Sequence, residues 1–366
     1  MSYTNGLDDP SAHFQIATYT GAGANQTVTN DGNSDLQPDW LWIKRRNAGY
    51  AHALFDSNRG LGSSNPPMLE CNSESAENSN QNWISGVGTD SFTIGINEQN
   101  LSNTAGTYVA WQWKANGGTT ASNSNGNITS TVQANTTAGF SVVTWTGDGS
   151  TSGKNVGHGL GAVPKMIISK DRDGTSNLPG WYIYHQAIGA EDHLQFTAGA
   201  KADSPTWGDT TPTSSVFSVG GEGAYIATNQ NNIDYVAYVF ADVQGYSKFG
   251  SYIGNGESLN GPFVYTGFKP AWVMIKNTQT SGRNWYIYDI KRRTFNANGT
   301  IISANTTSAE ATDQAIDILS NGFKVKPGAL GSFGTSTINH SGQKMIYMAF
   351  AENPFVTSTG VPTTAR

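Results

Sequence analysis

PAWVMIK, residues 270–276, has two relatives earlier in the chain, PDWLWIK at 38–44 and PKMIISK at 164–170. Each copy begins with proline, continues with large apolar residues and carries a lysine six positions after the proline. We refer to these three stretches as the ribbons. A short apolar run bounded by turn-forming residues is typical of a strand that is buried on both faces. The ribbons therefore predict a central strand in each of three similar units.

Other landmarks recur at nearly constant distances from the ribbons. An aromatic residue, then Thr or Ile, then Gly-x-Gly comes before each ribbon, and its first glycine lies 17, 17 and 16 residues before the ribbon proline. These glycine and proline pairs are Gly21 and Pro38, Gly147 and Pro164, and Gly254 and Pro270. Each unit closes on an aromatic strand, namely YVAWQWKA at 108–115, YVAYVFAD at 235–242 and MIYMAFAE at 345–352. Repetition of this kind indicates tandem units of about 100 residues.

The composition favours strands and turns over helices. Charged residues make up 13% of the chain, about half the usual share of roughly 25%, while 43 glycines and 11% aromatics fill the difference. The sequence predicts an all-β protein of three tandem β-sandwich repeats, either jelly-roll-like or immunoglobulin-like. The expected divisions are a short N-terminal arm at 1–12, repeat 1 at 13–115, a polar linker at 116–138, repeat 2 at 139–243, repeat 3 at 244–355 and a C-terminal tail at 356–366.

The connections between repeats differ in length. The segment 116–138 is nearly devoid of large apolar residues and is predicted to be an extended linker, whereas only QGYSK, 244–248, separates repeats 2 and 3. Repeats 2 and 3 are therefore expected to pack as a fixed pair, with repeat 1 more free. One short helix is expected in AEATDQAIDIL, 309–319, which places Ala315, Ile316 and Leu319 on one face.

The ribbons are apolar on both faces, which a two-sheet sandwich does not by itself explain. The outer face needs cover from a loop of the same unit, from the next unit or from another copy of the chain. A bare face of a few hundred Å² would cost several kcal/mol per unit at about 25 cal/mol per Å². We therefore expect an oligomer, a homotrimer, or attachment to a larger assembly.

Charge and cysteine content exclude several classes of protein. The formal charge is −6 and the isoelectric point about 5.5, so nothing predicts a nucleic-acid partner or an anionic membrane surface. Cys71 is the only cysteine, which excludes an intrachain disulfide and a zinc site built of cysteines. No apolar run reaches the roughly 18–20 residues of a spanning helix, and MSYTNGLDDP lacks the features of an export signal. Membrane insertion is not expected.

The sequence predicts no catalytic, metal or cofactor site. His158 in VGHGLG is interpreted as part of a tight turn, because the stretches before the other two ribbon prolines lack histidine. Asp171 and Asp173 in SKDRDG have a D-x-D-G pattern but none of the further ligands of a calcium loop. The Gly-x-Gly elements are not followed by a helix, as a phosphate site requires, and are interpreted as turns.

Two sets of residues are candidate surface or partner contacts. Exposed aromatic rings stack on sugar rings, and the candidates are Trp181, Tyr182, Trp285 and Tyr286, although alternation predicts that half of each pair is core. Dense basic clusters contact phosphate or acidic sugars, and the candidates are Lys44, Arg45, Arg46, Lys291, Arg292 and Arg293. The alternative interpretation of these clusters is a solvated strand end that discourages edge pairing.

Several long stretches resemble virion structural proteins of marine tailed bacteriophages that infect cyanobacteria and other oligotrophic marine bacteria. They are SYTNGLDDP at 2–10, FQIATYTGAG at 14–23, TTAGFSVVTWTGDG at 136–149, VGHGLGAVPKMIISK at 156–170, VAYVFADVQGYSKFGSYIGNG at 236–256, GPFVYTGFKPAWVMIK at 261–276 and MAFAENPFVTSTGVPTTAR at 348–366. The resemblance covers nearly the whole chain, and those proteins are described as tail-fibre-like or simply structural.

The resemblance implies a β-rich, multimeric virion protein without a cofactor, made in the host cytoplasm and released by lysis. We expect a non-enzymatic tail fibre or fibre-like appendage that adsorbs to a host glycan or outer-membrane receptor. Its partners would be copies of itself in a homotrimer and other virion proteins. The alternatives are a capsid or tail decoration protein and a polysaccharide-degrading tailspike. Against the tailspike stands the lack of the many short coils of a β-helix.

Overall fold

The computed structural model describes residues 7–151, 153–176, 178–220, 227–292, 295–296, 299–312, 315–326 and 337–364. Within these ranges the chain forms antiparallel sheets and no α-helix, with two three-residue 3₁₀-helices, η1 (Pro10–Ala12) and η2 (Ser57–Arg59). The prediction of an all-β fold is confirmed.

Unit 1 contains a main sheet of four strands and a small sheet of three. Its strands are β1 (Phe14–Thr20), β2 (Gln26–Thr29), β3 (Trp40–Arg45), β4 (Ala53–Asp56), β5 (Ile84–Gly88), β6 (Ser91–Ile94) and β7 (Thr107–Trp113). The strand order is β1-β7-β3-β4 in the main sheet and β2-β6-β5 in the small sheet. The ribbon strand β3 lies between the closing strand β7 and β4, so it is central, as predicted.

Unit 2 has a larger main sheet and a small sheet of two strands. Its strands are β8 (Ala121–Asn123), β9 (Ser130–Asn135), β10 (Phe140–Thr146), β11 (Lys154–Gly157), β12 (Met166–Asp171), β13 (Trp181–His185), β14 (Gly189–Gln195), β15 (Ala202–Asp203), β16 (Val216–Val219) and β17 (Asp234–Phe240). The order is β15-β14-β13-β12-β17-β10-β9-β8 in the main sheet, and β11 pairs with β16. The ribbon strand β12 again lies beside the closing strand, β17.

Unit 3 follows the same plan. Its strands are β18 (Ser247–Ile253), β19 (Phe263–Tyr265), β20 (Phe268–Asn277), β21 (Tyr286–Asp289), β22 (Thr300–Ser303), β23 (Ala311–Thr312), β24 (Ile316–Leu319), β25 (Gly322–Val325) and β26 (Lys344–Pro354). The order is β18-β26-β20-β21-β22-β23 in the main sheet and β19-β25-β24 in the small sheet. The ribbon and closing strands pair in the same register in all three units, with Trp40 opposite Trp113, Met166 opposite Phe240 and Trp272 opposite Phe350.

Two local predictions were wrong. The segment 116–138 is not an extended linker between the units, because β8 and β9 lie within it and extend the main sheet of unit 2. The segment 309–319 is not a helix where the structure describes it, since it contains β23 and β24. Its apolar residues Ile316 and Ile318 alternate with half-buried neighbours, which is the period of a strand.

The recurring Gly-x-Gly has a steric cause. A Cβ atom on Gly21, Gly147 or Gly254 would lie 2.2, 2.2 or 2.3 Å from a backbone carbonyl oxygen of the segment that precedes the closing strand. The second glycine of each element has a positive φ, which is 99° at Gly23, 72° at Gly149 and 78° at Gly256. The first glycine of each element is required by the close backbone approach, and the second is favoured by its left-handed conformation. The interpretation of these elements as turns is confirmed.

Successive ribbon residues face two different cores. Leu41 and Ile43 pack inside unit 1, between its main and small sheets, and the equivalent residues of the other ribbons, Ile167 in unit 2 and Val273 and Ile275 in unit 3, pack likewise inside their own units. The alternate ribbon residues, Trp40, Trp42, Met166, Ile168, Trp272 and Met274, all belong to one further core that the three units share. This shared core explains why the ribbons are apolar on both faces.

Aromatic contacts cross every boundary between units inside the shared core. Trp40 of unit 1 stacks on Tyr238 of unit 2, with ring centroids 4.2 Å apart. Trp113 of unit 1 meets Trp272 of unit 3 edge-on at 5.8 Å, and Phe240 of unit 2 meets Phe350 of unit 3 at 6.0 Å. Unit 1 is therefore packed against both other units, and the prediction that it would be the freer unit was wrong.

Candidate functional site

The three units contact one another in a cyclic order. The backbone N–H of Glu77 in unit 1 donates to the carbonyl of Arg172 in unit 2 at 2.8 Å. Lys201 of unit 2 makes the same bond to Thr278 of unit 3 at 2.8 Å, and Glu310 of unit 3 makes it to Arg46 of unit 1 at 2.7 Å. Each unit thus places one segment just after the C-terminal end of the ribbon of the next unit. We call these segments the arms, and they contain Glu77, Lys201 and Glu310. The repetition of one contact around a ring gives the chain an approximate internal threefold symmetry.

Two of these three arms carry a bidentate ion pair. Arg172 donates from Nε and Nη2 to the carboxylate of Glu77 at 2.9 and 2.7 Å. Arg46 donates in the same way to Glu310 at 3.0 and 2.9 Å. Paired parallel hydrogen bonds of this kind fix geometry as well as charge. The third arm has Lys201 and Thr278 at the equivalent positions, so the boundary between units 2 and 3 is closed differently.

A buried ion pair lies beneath each of these two arms and receives a hydrogen bond from the next unit. In unit 1, Arg59 Nε lies 2.6 Å from Asp56 Oδ2, and the hydroxyl of Tyr238 from unit 2 donates to the same oxygen at 2.9 Å. Burial, followed by the charge of Asp56, raises the pKa of that hydroxyl well above its usual value, so the hydroxyl stays protonated as a donor. The carboxylate is therefore shared between two units.

Unit 3 repeats the arrangement against unit 1. Arg292 Nε lies 2.5 Å from Asp289 Oδ2, and the indole N–H of Trp111 donates to that oxygen at 3.0 Å. Trp111 and Tyr238 occupy the same position in their closing strands, two residues before Trp113 and Phe240. A tryptophan and a tyrosine thus each donate a hydrogen bond to a buried aspartate at one of the two boundaries.

Unit 2 departs from this pattern. His185 stands where units 1 and 3 have aspartate, and its Nδ1 accepts a hydrogen bond from the backbone N–H of Ala187 at 3.1 Å. Burial lowers the pKa of His185 to about 4, so the ring is neutral at pH 7. Ile188 stands at the place of the arginine and packs against the shared core. At the boundary with unit 3 the aspartate and arginine are therefore replaced by neutral side chains, and the ammonium of Lys344 in unit 3 donates to the carbonyl of Ala187 at 2.9 Å.

The lysines at the ends of the ribbons are structural. Lys170 of unit 2 donates to the carbonyl of Glu74 in unit 1 at 3.0 Å, and Lys44 of unit 1 donates to that of Thr307 in unit 3 at 3.2 Å. Lys276 donates to Arg283 of its own unit at 2.6 Å. Burial lowers the pKa of Lys44 and Lys170 to about 8 and that of Lys276 to about 7. The lysine recurs in each ribbon because its ammonium group donates hydrogen bonds to backbone carbonyls and so holds a nearby loop in place.

Most of the basic residues that were candidate contacts are engaged within the chain. Lys44, Arg46 and Arg292 hold the boundaries between units, as described above. Arg45 donates to Asn47 at 3.1 Å and lies over the ring of Tyr50 at 4.8 Å. Lys291 is exposed and pairs with Asp31 of unit 1 at 2.7 Å. Arg293 lies outside the described residues.

The aromatic residues that were candidate contacts are not on the surface. Trp181 and Trp285 belong to the shared core, and their indole N–H groups donate to the carbonyls of Glu70 and Gln195 in the preceding unit at 3.0 and 2.8 Å. Tyr182 and Tyr286 pack inside units 2 and 3. Both faces of these strands are buried, so the expected division into core and exposed halves was wrong. None of the four rings is available for stacking on a sugar.

Unit 3 instead exposes a different pair of aromatic rings. Phe263 and Tyr265 flank the buried Val264 on β19 and are 46% and 55% exposed. Alternate residues of a strand share a face about 7 Å apart, so the two rings project from the same side of the small sheet. The equivalent residues around Val28 in unit 1 are Thr27 and Thr29, and around Val156 in unit 2 they are Asn155 and Gly157. The aromatic pair distinguishes unit 3 from its neighbours.

The residues considered for other chemistry have local roles. His158 is buried, its Nδ1 accepts from the backbone N–H of Leu160, and burial lowers its pKa to about 4. Asp171 accepts backbone hydrogen bonds from Asp173 and Gly174, which closes a turn. Across the part of the chain that the structure describes, no three His, Cys, Asp or Glu side chains are grouped as metal ligands, and no helix has the length and apolar character to cross a membrane.

The part of the chain that the structure describes is all-β, and its antiparallel main sheets pack on one central core. The chain belongs to the family described as a domain of unknown function, DUF7483, whose model matches residues 9–354. No curated protein and no solved structure shows significant similarity to the chain.

Proposed function

We propose that the chain is a non-enzymatic structural protein of a bacteriophage particle, a tail fibre or fibre-like appendage that adsorbs to a surface glycan or outer-membrane receptor of the host. The observation that carries the proposal is the pair Phe263 and Tyr265, which projects from the small sheet of unit 3 and has no aromatic counterpart in the other two units. Exposed aromatic faces suit the apolar faces of sugar rings. The stretches that resemble marine phage virion proteins support the virion location.

The use of the charged side chains supports a structural role. The ion pairs of Asp56 with Arg59 and of Asp289 with Arg292 are buried at boundaries between units. A chain held together in this way presents its surface groups on a firm scaffold. Shallow contacts between surface side chains and a host receptor gain affinity from valency, so a virion would carry several copies of the chain. A homotrimer stays a prediction, but the apolar faces that motivated it are covered within a single chain.

The location is tested on purified virions of a phage whose genome encodes this sequence. Gold-labelled antibodies against the recombinant chain should mark the tail or its fibres in electron micrographs. Uniform labelling of the capsid would contradict the tail assignment, and absence of the chain from the particle by mass spectrometry would contradict the whole proposal.

Adsorption is tested with the recombinant chain and host cells. Fluorescently labelled protein should bind the cells and slow phage adsorption in competition. The double variant Phe263→Ser and Tyr265→Ser should lose binding at least tenfold, because each stacking contact contributes about 1 kcal/mol. The matched control is Thr27→Ser with Thr29→Ser, which alters the equivalent strand of unit 1 and should bind as the wild type does. Equal binding by both double variants would remove the aromatic pair from the proposal.

A second candidate function is a decoration protein that stabilises the capsid or tail. The internal threefold symmetry favours it, because a chain of this shape matches a site at which three identical subunits meet. In that case the recombinant chain should bind assembled capsids and raise the temperature at which they rupture, without binding host cells. Shortening of host polysaccharide by the purified chain would instead support the tailspike alternative.

A further inference from the structure

The three main sheets end differently at equivalent edges. In unit 2 the sheet continues past β10 to β9 and β8, which come from the segment before the unit. In unit 1 the equivalent strand is β1, and among the described residues its only strand partner is β7. In unit 3 the equivalent strand is β18, which also ends its sheet. The edges of β1, β10 and β18 are therefore three versions of one position.

The pairing of β9 shows what this position can accept. Phe140, Val142 and Thr144 of β10 lie opposite Asn135, Gln133 and Thr131 of β9 in an antiparallel register. Their counterparts in unit 1 are Phe14, Ile16 and Thr18, as judged from the pairing of each strand with its closing strand. Lys114 donates to the carbonyl of His13 at 3.0 Å, so the odd-numbered residues of β1 bond to β7 and the even-numbered ones point their backbone groups away from it.

The edge of unit 3 is closed by side chains. The backbone N–H of Phe249 donates to Asp242 Oδ1 at 2.8 Å, and its carbonyl accepts from Gln186 Nε2 at 2.6 Å. The backbone of Ser247 bonds to Val243. Among the residues that the structure describes, one of the three equivalent edges is thus paired with a strand, one is capped by side chains and a backbone bridge, and that of β1 carries neither.

A cavity of about 490 Å³ lies along the edge of β1. Phe14, Ile16, Ala271, Ile290 and Ala351 give it an apolar floor. The charged groups at its rim are already paired, Lys291 with Asp31 at 2.7 Å and Lys269 with Glu352 at 3.1 Å. An edge strand beside an apolar groove is a known template for the addition of a strand.

The far wall of this cavity corresponds to the wall that holds β9. In unit 1, Ser57 Oγ donates to Gln133 of β9 at 3.0 Å, and Asn58 Nδ2 donates to the carbonyl of Thr131 at 2.9 Å. The residues of unit 3 in the same positions, one and two places after the buried aspartate, are Ile290 and Lys291, and both line the cavity. Ile290 and Lys291 of unit 3 therefore bound the cavity beside β1 at the positions where Ser57 and Asn58 of unit 1 contact β9.

We propose that the edge of β1 and its cavity, which we name the β1 groove, bind an extended segment of a partner protein as an additional antiparallel strand. The chemistry expected of that segment is that of β9, STVQAN at 130–135, an uncharged run in which small apolar residues alternate with polar ones. Charged residues are disfavoured because the described residues of the rim offer no unpaired charge to receive them. The partner's backbone would bond to Phe14, Ile16 and Thr18.

A synthetic peptide with the sequence of residues 127–138, NITSTVQANTTA, is the probe. Added to the full-length protein, it should slow hydrogen exchange in peptides that cover 14–20 and leave those that cover 140–146 unchanged, because β10 is already paired. Thr18→Pro removes an outward backbone N–H at an exposed side chain and should weaken binding at least tenfold, whereas Thr18→Ala keeps the N–H and should bind within about twofold of the wild type. Absence of protection with the peptide in excess, or equal protection of Thr18→Pro, would overturn the proposal.

The register provides a second readout that does not depend on the proline variant. Thr18 corresponds to Thr144, which lies opposite Thr131 of β9. A Thr18→Cys protein should form a disulfide with a peptide that carries cysteine at the Thr131 position, and at most one tenth as much with cysteine at the Asn135 position. Equal reaction with both peptides, or a disulfide between two protein chains in place of the peptide, would contradict a strand of partner chemistry in the groove.

Discussion

Tyr238 and Asp56 belong to different units, yet the tyrosine hydroxyl donates to Asp56 Oδ2 at 2.9 Å inside the protein. Trp111 makes the equivalent bond to Asp289 at 3.0 Å across another boundary. Tyrosine and tryptophan differ in shape, but each is an aromatic side chain that carries one polar hydrogen. Each can therefore donate a hydrogen bond to the buried carboxylate of the adjacent unit. Each buried carboxylate needs a hydrogen-bond donor from the adjacent unit as well as the arginine of its own unit.

Removal of these donors should weaken the joined units. Tyr238→Phe and Trp111→Phe each leave a buried carboxylate oxygen without one of its partners, which we expect to lower the free energy of unfolding by about 1–3 kcal/mol. Urea unfolding followed by tryptophan fluorescence and circular dichroism measures the loss. Tyr265→Phe removes a hydroxyl from an exposed ring and is the control, with an expected change below about 0.5 kcal/mol. A loss in the control as large as in Tyr238→Phe would show that the bond to Asp56 carries no special weight.

The buried arginines should matter far more than the exposed lysine beside them. Arg59→Met leaves Asp56 charged and buried, and the expected cost is about 3–5 kcal/mol. Lys291→Met breaks an ion pair whose Asp31 carboxylate is largely exposed, and the expected cost is below about 1 kcal/mol. Chemical unfolding of both variants provides the comparison. Similar costs for the two substitutions would contradict the assignment of Arg59 to a desolvated boundary.

The turn glycines should tolerate no side chain. Gly147→Ala places a Cβ atom 2.2 Å from the carbonyl oxygen of Gln230, so the chain must shift, and we expect a loss of about 2–4 kcal/mol. Gly86→Ala is the matched control, because a Cβ atom there meets nothing within 4 Å. Thermal unfolding should separate the two variants by several degrees. If Gly147→Ala melts together with Gly86→Ala, the steric account of the repeated element is wrong.

Stability should fall in acid through His185. Its pKa is lowered from the ordinary 6.5 to about 4, so below pH 6.5 the unfolded chain binds a proton that the folded chain does not. The contribution of the neutral ring is complete above about pH 6.5 and is lost as the pH falls toward 4, by about 3 kcal/mol. His185→Asn keeps an acceptor for Ala187 and should show a shallower decline between pH 7 and 4. Parallel pH profiles for wild type and variant would contradict this assignment.

The ribbons could be placed from the sequence because their signal is local. A run such as Trp272-Val273-Met274-Ile275 shows that both faces of a strand are buried, and the constant distance to Gly254 fixes its place in the unit. The same run does not show what covers the outer face. That cover consists of residues more than a hundred positions away, such as Tyr238 against Trp40, and no local pattern specifies such a partner.

The strands at the unit edges were missed for a related reason. Thr131 and Gln133 of β9 are polar, and their place in the sheet is set by backbone pairing with Thr144 and Val142 and by Ser57 and Asn58 of unit 1. The exposed pair on β19 could have been found. Aligning Val264 with Val28 and Val156 predicts that Val264 points inward, and the residues beside it then point outward.

The central claim is that three units of one chain cover one another's apolar faces. Glu77 and Arg172 test it most directly, because the backbone N–H of Glu77 donates to the carbonyl of Arg172 at 2.8 Å across the boundary of units 1 and 2. In a Glu77→Cys and Arg172→Cys variant, mild oxidation should close a disulfide within single chains, to the same extent at high and low protein concentration. The only native cysteine, Cys71, is buried. Products linked between chains, in amounts that rise with concentration, would contradict the account.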